Sequence, residues 1–223
     1  MKALSPHQTD KHASWAFAEA RPVEDEVMLT ARERSEELGI RAVTEGTASL
    51  LTVLAATKAP RTIVELGTGA GVSGLSLMRG APRGAVLTTL DPDAEAQRSA
   101  RESFVADGYV PSRTRLITGR GRTVLPRLST GAYDLVFIDT DPLVLGFHVE
   151  QSARLLRPGG LLVINDAFDG DRVPRPAVRD QTTVALRQAG KTLAEQTDVW
   201  SHSTVIPTGS GVLIAIRAVA TQG

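Results

Sequence analysis

Short apolar runs alternate along most of this chain with longer segments whose apolar residues recur at helical spacing. The strand-like runs cover 62–66, 85–90, 114–118, 133–139 and 160–165, and helix-like segments at 72–79, 94–107, 122–128 and 142–156 separate them. Such alternation implies right-handed crossovers and an α/β fold: a mainly parallel, doubly wound sheet with helices on both faces. Ahead of it, 23–38 reads as a helix with a charged outer face that stops at Gly39, and 47–57 as a second helix ending before Pro60. The tail differs. A helix over 177–189 is followed by runs at 200–206 and 211–216, joined by Pro207-Thr208-Gly209-Ser210. A connection that short forms a hairpin, so the last strand is expected to run antiparallel to its neighbour.

A chain of 223 residues with 42% hydrophobic content fits one α/β domain, here 23–220, with 1–22 as an N-terminal arm. Lys plus Arg equals Asp plus Glu at 25 each, so no global field attracts nucleic acid or an acidic membrane. Arg113, Arg115, Arg120, Arg122 and Arg127 make a local basic stretch, read as a solvated face. The absence of cysteine excludes a disulfide framework and a thiolate nucleophile. Residues 1–10 are polar, and no apolar run approaches the ~20 residues of a membrane span, so the expected location is the cytoplasm. The first dozen residues and the last few are the expected disordered parts.

The most informative stretch is Val64-Glu65-Leu66-Gly67-Thr68-Gly69-Ala70-Gly71-Val72-Ser73-Gly74, where a strand breaks into glycines before a helix. Glycine turns at positive φ and admits a ligand where a Cβ would collide, while the helix that follows offers its N–H groups. Gly69-x-Gly71-x-x-Gly74 satisfies the dinucleotide pattern; Glu65-x-Gly67-x-Gly69-x-Gly71 suits S-adenosylmethionine. Asp91 closes the next strand, where a carboxylate accepts both ribose hydroxyls of either cofactor, or caps the helix after Pro92. Glu65 discriminates, because a pyrophosphate has no use for a nearby anion whereas the ammonium and sulfonium of the methyl donor tolerate one.

The motif 64–73, Leu155-Leu156-Arg157-Pro158-Gly159-Gly160 and the closing Ile206-Pro207-x-Gly-x-Gly211-Val212-Leu213-Ile214-Ala215 resemble the caffeoyl-CoA and catechol O-methyltransferase group, especially its bacterial branch. The resemblance implies a Rossmann-like methyltransferase sheet, a homodimer and donor contacts at Glu65, Gly67, Ser73 and Asp91, with Val43 near the methionine end. The full candidate donor set adds Thr68, Gly69, Gly119, Arg120 and Asp139. Where the group carries Gly-Asp-Ala after the third strand, this chain has Gly119-Arg120-Gly121, and an arginine cannot accept a hydrogen bond from the adenine amino group.

Methyl transfer to oxygen is an in-line displacement that needs a deprotonated acceptor, and Mg²⁺ or a similar ion supplies both placement and acidity to a catechol-like aromatic diol. The resemblance puts its ligands at Asp139 and at the pair Asn165-Asp166, which stands inverted relative to the group's Asp-Asn. The group's Asp-x-Asp-Lys becomes Asp139-Thr140-Asp141-Pro142, leaving Asp139 and Asp141 as candidate catalytic groups and His148 and His202 as substitutes for the lost lysine. Arg179-Asp180 resembles a pair that approaches the acceptor, and Trp15 and Phe17 are candidates for a lid or a dimer contact. The expected activity is S-adenosylmethionine-dependent O-methylation of a small hydroxylated acceptor. The rivals are a donor-binding fold with altered acceptor chemistry and an NAD-dependent oxidoreductase.

Overall fold

A computed structural model describes residues 11–219. The disorder expected at the chain ends therefore lies mostly outside the described residues, although residues 11 and 12 already belong to a helix. Seven strands form one sheet: β1 (Thr62–Leu66), β2 (Val86–Asp91), β3 (Thr114–Thr118), β4 (Tyr133–Ile138), β5 (Leu156–Ile164), β6 (Trp200–Ile206) and β7 (Val212–Arg217), in the order β3-β2-β1-β4-β5-β7-β6. The first five are mutually parallel, and β7 is antiparallel to both β5 and β6, as the short hairpin requires. From β1 the chain winds outward through β2 and β3, then returns to add β4 on the other side. The crevice beyond the carboxyl ends of β1 and β4 is thus the switch point where sheets of this kind bind ligands.

Strand periodicity sorts the core into two layers. Ile63, Leu87, Leu135, Phe137, Leu161 and Val163 face helices α2 (Glu26–Glu37), α3 (Glu45–Lys58), α4 (Val72–Gly80) and α5 (Ala94–Ala106). Val64, Leu66, Leu90, Val136, Ile138, Leu162 and Ile164 face α7 (Leu145–Leu155) and α8 (Gln181–Glu195). Helix α1 (Lys11–Glu19) buries no residue, and its last side chain ties it down: Glu19 accepts from Thr208 Oγ1 at 2.6 Å and Gly209 N at 2.7 Å.

Differences from the expected elements have local causes. Asp25 caps α2 by accepting from Met28 N at 3.1 Å, so 23–25 stay outside the helix. Pro126, lacking an N–H, divides the segment after β3 into a four-residue α6 (Gly121–Val124) and a 3₁₀ turn at Leu125–Arg127. Pro142 likewise opens a 3₁₀ turn, Pro142–Val144, before α7. The chain passes from α7 into β5 without a loop, and the strand starts at Leu156 rather than near residue 160, at the cost of a register shift opposite Tyr133–Leu135. Helix α8 starts later than expected, at Gln181, because residues 166–180 form a knot of turns. There the Arg187 guanidinium donates to the carbonyls of Arg172, Val173, Arg175 and Val178.

Helices α3 and α4 approach most closely at Gly80, where an added Cβ would lie 2.1 Å from the Thr52 carbonyl oxygen and 2.9 Å from Ala55 Cβ. Gly80→Ala is therefore expected to force the helices apart and destabilise the protein by about 1–3 kcal/mol, a depression of several degrees in a thermal melt. An unchanged melting temperature would contradict the packing described.

Candidate active site

The turn after β1 is held open by geometry that only glycine tolerates. Gly67 has φ +90, and a Cβ there would sit 1.9 Å from the Asp139 carbonyl oxygen, so the ends of β1 and β4 can meet only without a side chain. The carboxylate of Asp91 fixes the turn. Its Oδ2 accepts from Thr68 N at 3.0 Å and Gly69 N at 3.1 Å, and its Oδ1 from Asp93 N at 2.9 Å. Asp93, not Asp91, caps α5, accepting from Glu95 N at 2.7 Å and Ala96 N at 3.2 Å. A cavity of about 280 Å³ opens beside this turn, lined by Val43, Gly67, Thr68, Gly69, Ser73, Asp91 and Asp139 among others. Gly71 is the N-cap of α4 and supplies no side-chain cap, and Val72 and Ser73 of the first turn line that space.

Three members of the expected donor set stand elsewhere. Glu65 points to the α4 face of the sheet, in phase with Ile63, and is fully buried behind Ser73 rather than lining the cavity. Its Oε1 accepts from Ser73 Oγ at 2.7 Å and its Oε2 from Thr89 Oγ1 at 2.6 Å. The chain continues from Thr89 to Thr68 at 2.6 Å and to Gln97, whose Nε2 donates to Thr68 Oγ1 at 2.8 Å. Burial raises the Glu65 carboxyl to about 8 even though both hydroxyl donors pull it down. Gly119 acts through its backbone, donating to the Asp91 carbonyl at 2.9 Å, and Arg120 is exposed just before α6; neither lines the cavity.

A second cavity, about 350 Å³, shares Arg41 and Asp139 with the first. Asp141, Asn165 and Asp166 line it over an apolar floor of Ile138, Leu145, Ile164 and Leu186. Parallel strands deliver these groups together because β4 and β5 end in register, with Ile138 opposite Ile164. Burial lifts the Asp139 carboxyl to about 6; the Asn165 amide, hydrogen-bonded to it, and Arg41 pull it down, and the charge of Asp166 pushes it up. Asp166 takes φ +55 as the chain leaves β5. Its Oδ2 accepts from Arg41 Nη2 at 2.8 Å, and its Oδ1 is buried without a partner. Asp141 caps the 3₁₀ turn, accepting from Leu143 N at 2.9 Å.

The other acceptor-side candidates are not assembled here. His148 is buried against Gly121, its ring contacts Thr140 Oγ1 at 3.1 Å, and burial lowers it to about 4, which keeps it neutral; it does not line the cavity. His202 lies exposed on β6 at the far edge of the sheet. Arg179 is exposed ahead of α8, and Trp15 and Phe17, 39% and 73% exposed on α1, line neither cavity. Arg41, which touches both cavities, went unnoticed in the sequence: a lone arginine between two helices carries no motif. Among the described residues no three His, Cys, Asp or Glu side chains form a metal-sized group, and the expected ligand set offers one amide, Asn165, beside two carboxylates, Asp139 and Asp166.

The sheet order and the glycine-turn cleft define a Rossmann-like methyltransferase fold. A crystal structure of a Corynebacterium glutamicum protein superposes with a TM-score of 0.86 at 31% identity, covering 95% of this chain and 99% of that one. The S-adenosylmethionine complex of the O-methyltransferase TomG from Streptomyces achromogenes gives 0.83 at 26% identity, over 95% and 100%. A Mycobacterium ulcerans relative, provisionally named an O-methyltransferase, is 45% identical over 91% of this chain and 89% of its own length. The O-methyltransferase family model matches residues 16–218, and the chain belongs to that family. It is an S-adenosylmethionine-dependent O-methyltransferase, and the resemblance to the caffeoyl-CoA group holds. The dinucleotide reading of Gly69-x-Gly71-x-x-Gly74 finds no support. No helix among the described residues is long and apolar enough to cross a membrane.

Glu65 yields a pH signature. The folded protein keeps its carboxyl protonated up to about pH 8, whereas the unfolded chain releases the proton near its model value of 4.5. The folded state therefore binds more protons between those limits, and stability falls as pH rises through the window. Glu65→Gln is expected to flatten that decline in denaturant titrations at pH 5 to 8; an equally steep decline in the variant would show that Glu65 is ionised in the fold.

Proposed function

We infer that the first cavity binds S-adenosylmethionine and the second a small hydroxylated acceptor of catechol type. The observation that carries this reading is the meeting of the two cavities at Asp139 and Arg41. A donor lying along the glycine turn, with its ribose at Asp91 and its methionine end at Ser73 and Val43, would present its methyl group toward that junction. Residues 23–220 are the methyltransferase domain and 1–22 the arm. A homodimer working in the cytoplasm completes the reading; the exposed apolar side chains of Phe17, Val53 and Val205 are what support the dimer.

The chain's own groups have definable tasks. Glu65 is a positioning residue that holds the Ser73 hydroxyl, so the first turn of α4 presents a fixed face to the donor. Asp91, with three acceptor positions taken by Thr68, Gly69 and Asp93 N–H groups, keeps one on Oδ1 for a ribose hydroxyl while anchoring the turn. In the acceptor cavity the carboxylate of Asp139, ionised above about pH 6, takes the hydroxyl proton as the oxygen–methyl bond forms. In the same in-line step the methyl carbon–sulfur bond breaks, its electron pair returning to the sulfonium and leaving a neutral thioether. The apolar floor excludes water from the reacting oxygen.

Asp139, Asn165 and Asp166 fit a hard divalent cation in donor type: three oxygens at adjacent strand ends, one a buried carboxylate oxygen with no partner. Such an ion, when bound, would acidify the acceptor hydroxyl.

Asp139→Asn is expected to lower kcat on a catechol by roughly 100-fold or more, with affinity for S-adenosylhomocysteine held within a few-fold. In the wild type kcat should fall as pH drops below about 6, where Asp139 takes up its proton. Turnover assays with donor, a catechol panel and EDTA decide the matter. Unchanged kcat in the variant would remove Asp139 from the chemistry, and donor binding without turnover of any hydroxylated acceptor would favour a fold with altered acceptor chemistry.

A further inference from the structure

Arg41 lies in the turn between α2 and α3, yet its guanidinium reaches across the mouth of the acceptor cavity to a residue 125 positions later. The contact is well formed, Nη2 to Asp166 Oδ2 at 2.8 Å, although the arginine side chain is 75% exposed and the aspartate 22%. An ion pair so exposed contributes little to stability, so its interest lies in what it occupies. Asp139 and Asp166 place two carboxylates in one cavity, and Arg41 is the cation that lines it. It engages the outer oxygen of Asp166 and leaves the inner one, Oδ1, buried and unpaired. A divalent ion between Asp139 and Asp166 would need that same carboxylate and would stand within a few ångströms of a fixed positive charge. The turn that carries Arg41 also supplies Ile40, Ala42 and Val43 to the wall of the donor cavity.

We propose that Arg41 is a built-in counter-ion that competes with a divalent cation for Asp166, so that occupation of the metal position displaces the guanidinium. The proposal rests on the reading of Asp139, Asn165 and Asp166 as a cation site. It assigns a role to a residue that makes no ligand bond itself. Like charges at this separation in a partly desolvated cleft oppose one another, and removal of the arginine leaves the carboxylate for the ion alone.

The test is Mn²⁺ binding to the full chain without donor or acceptor, followed by the paramagnetic signal of free Mn²⁺, for wild type, Arg41→Ala, Arg41→Lys and Asp166→Asn. Circular dichroism melts establish that each variant is folded, which the exposure of Arg41 favours. Arg41→Ala is expected to bind Mn²⁺ roughly 10-fold more tightly than wild type, within the usual range for coupled sites. Arg41→Lys should stay near wild type because the charge is kept, and Asp166→Asn should lose the ion. Equal or weaker binding in Arg41→Ala beside measurable wild-type binding overturns the competition while leaving the cation site standing. Absence of binding in wild type and Arg41→Ala alike overturns the cation site and the competition with it.

Discussion

The carboxylate of Asp91 is the point on which the site is hung. A glycine turn at positive φ has backbone N–H groups that cannot join a strand or a helix, and Asp91 Oδ2 accepts two of them, from Thr68 and Gly69. Because the acceptor is charged, these are among the stronger hydrogen bonds available, and they lock the end of β2 to the exit of β1. Gly67 lets the end of β4 close against the same turn, where any Cβ would strike the Asp139 carbonyl oxygen. Three parallel strand ends are thereby fixed together. Asp91 faces one cavity, and Asp139 stands at the junction of both.

Desolvation is the leading influence on every strongly displaced acid or base around this crevice. It holds Glu65 near 8 against two hydroxyl donors, lifts Asp139 to about 6 against Asn165 and Arg41, and lowers His148 to about 4. The consequence is a division of charge at neutral pH. Glu65 is a neutral hydrogen-bonding post beneath α4, His148 a neutral packing group beside Gly121, and Asp139 a carboxylate with basicity well above that of a free aspartate. Of these three buried groups, only Asp139 carries charge at neutral pH.

Much of the architecture was legible because apolar strand runs and short connections leave their mark on local sequence. The runs at 62–66 and 114–118 coincide with β1 and β3, and the antiparallel β7 follows from the brevity of Pro207-Thr208-Gly209-Ser210. Legibility failed where one residue overrides a run: Pro126 and Pro142 cut their helices, and residues 166–180 are tied down by Arg187 from within α8. Gly67 and Asp91 follow from the glycine pattern and the strand end, and Ser73 from the family resemblance; all three line the first cavity. Glu65 was misplaced because its direction depends on the phase of a strand, which the glycine motif does not encode. Arg41 was invisible for a different reason. Its partner is distant in sequence, and long-range pairing leaves no local pattern. His148, one of two candidate bases in the sequence, is a buried packing residue.

Titration calorimetry of S-adenosylhomocysteine into wild-type protein and Asp91→Ala, with thermal melts to establish folding, tests the central claim most directly. Wild type should bind and the folded variant should lose roughly 5- to 150-fold in affinity, the equivalent of about 1–3 kcal/mol for charge-assisted hydrogen bonds lost at the turn and the ribose. A folded Asp91→Ala protein with undiminished affinity would contradict the account.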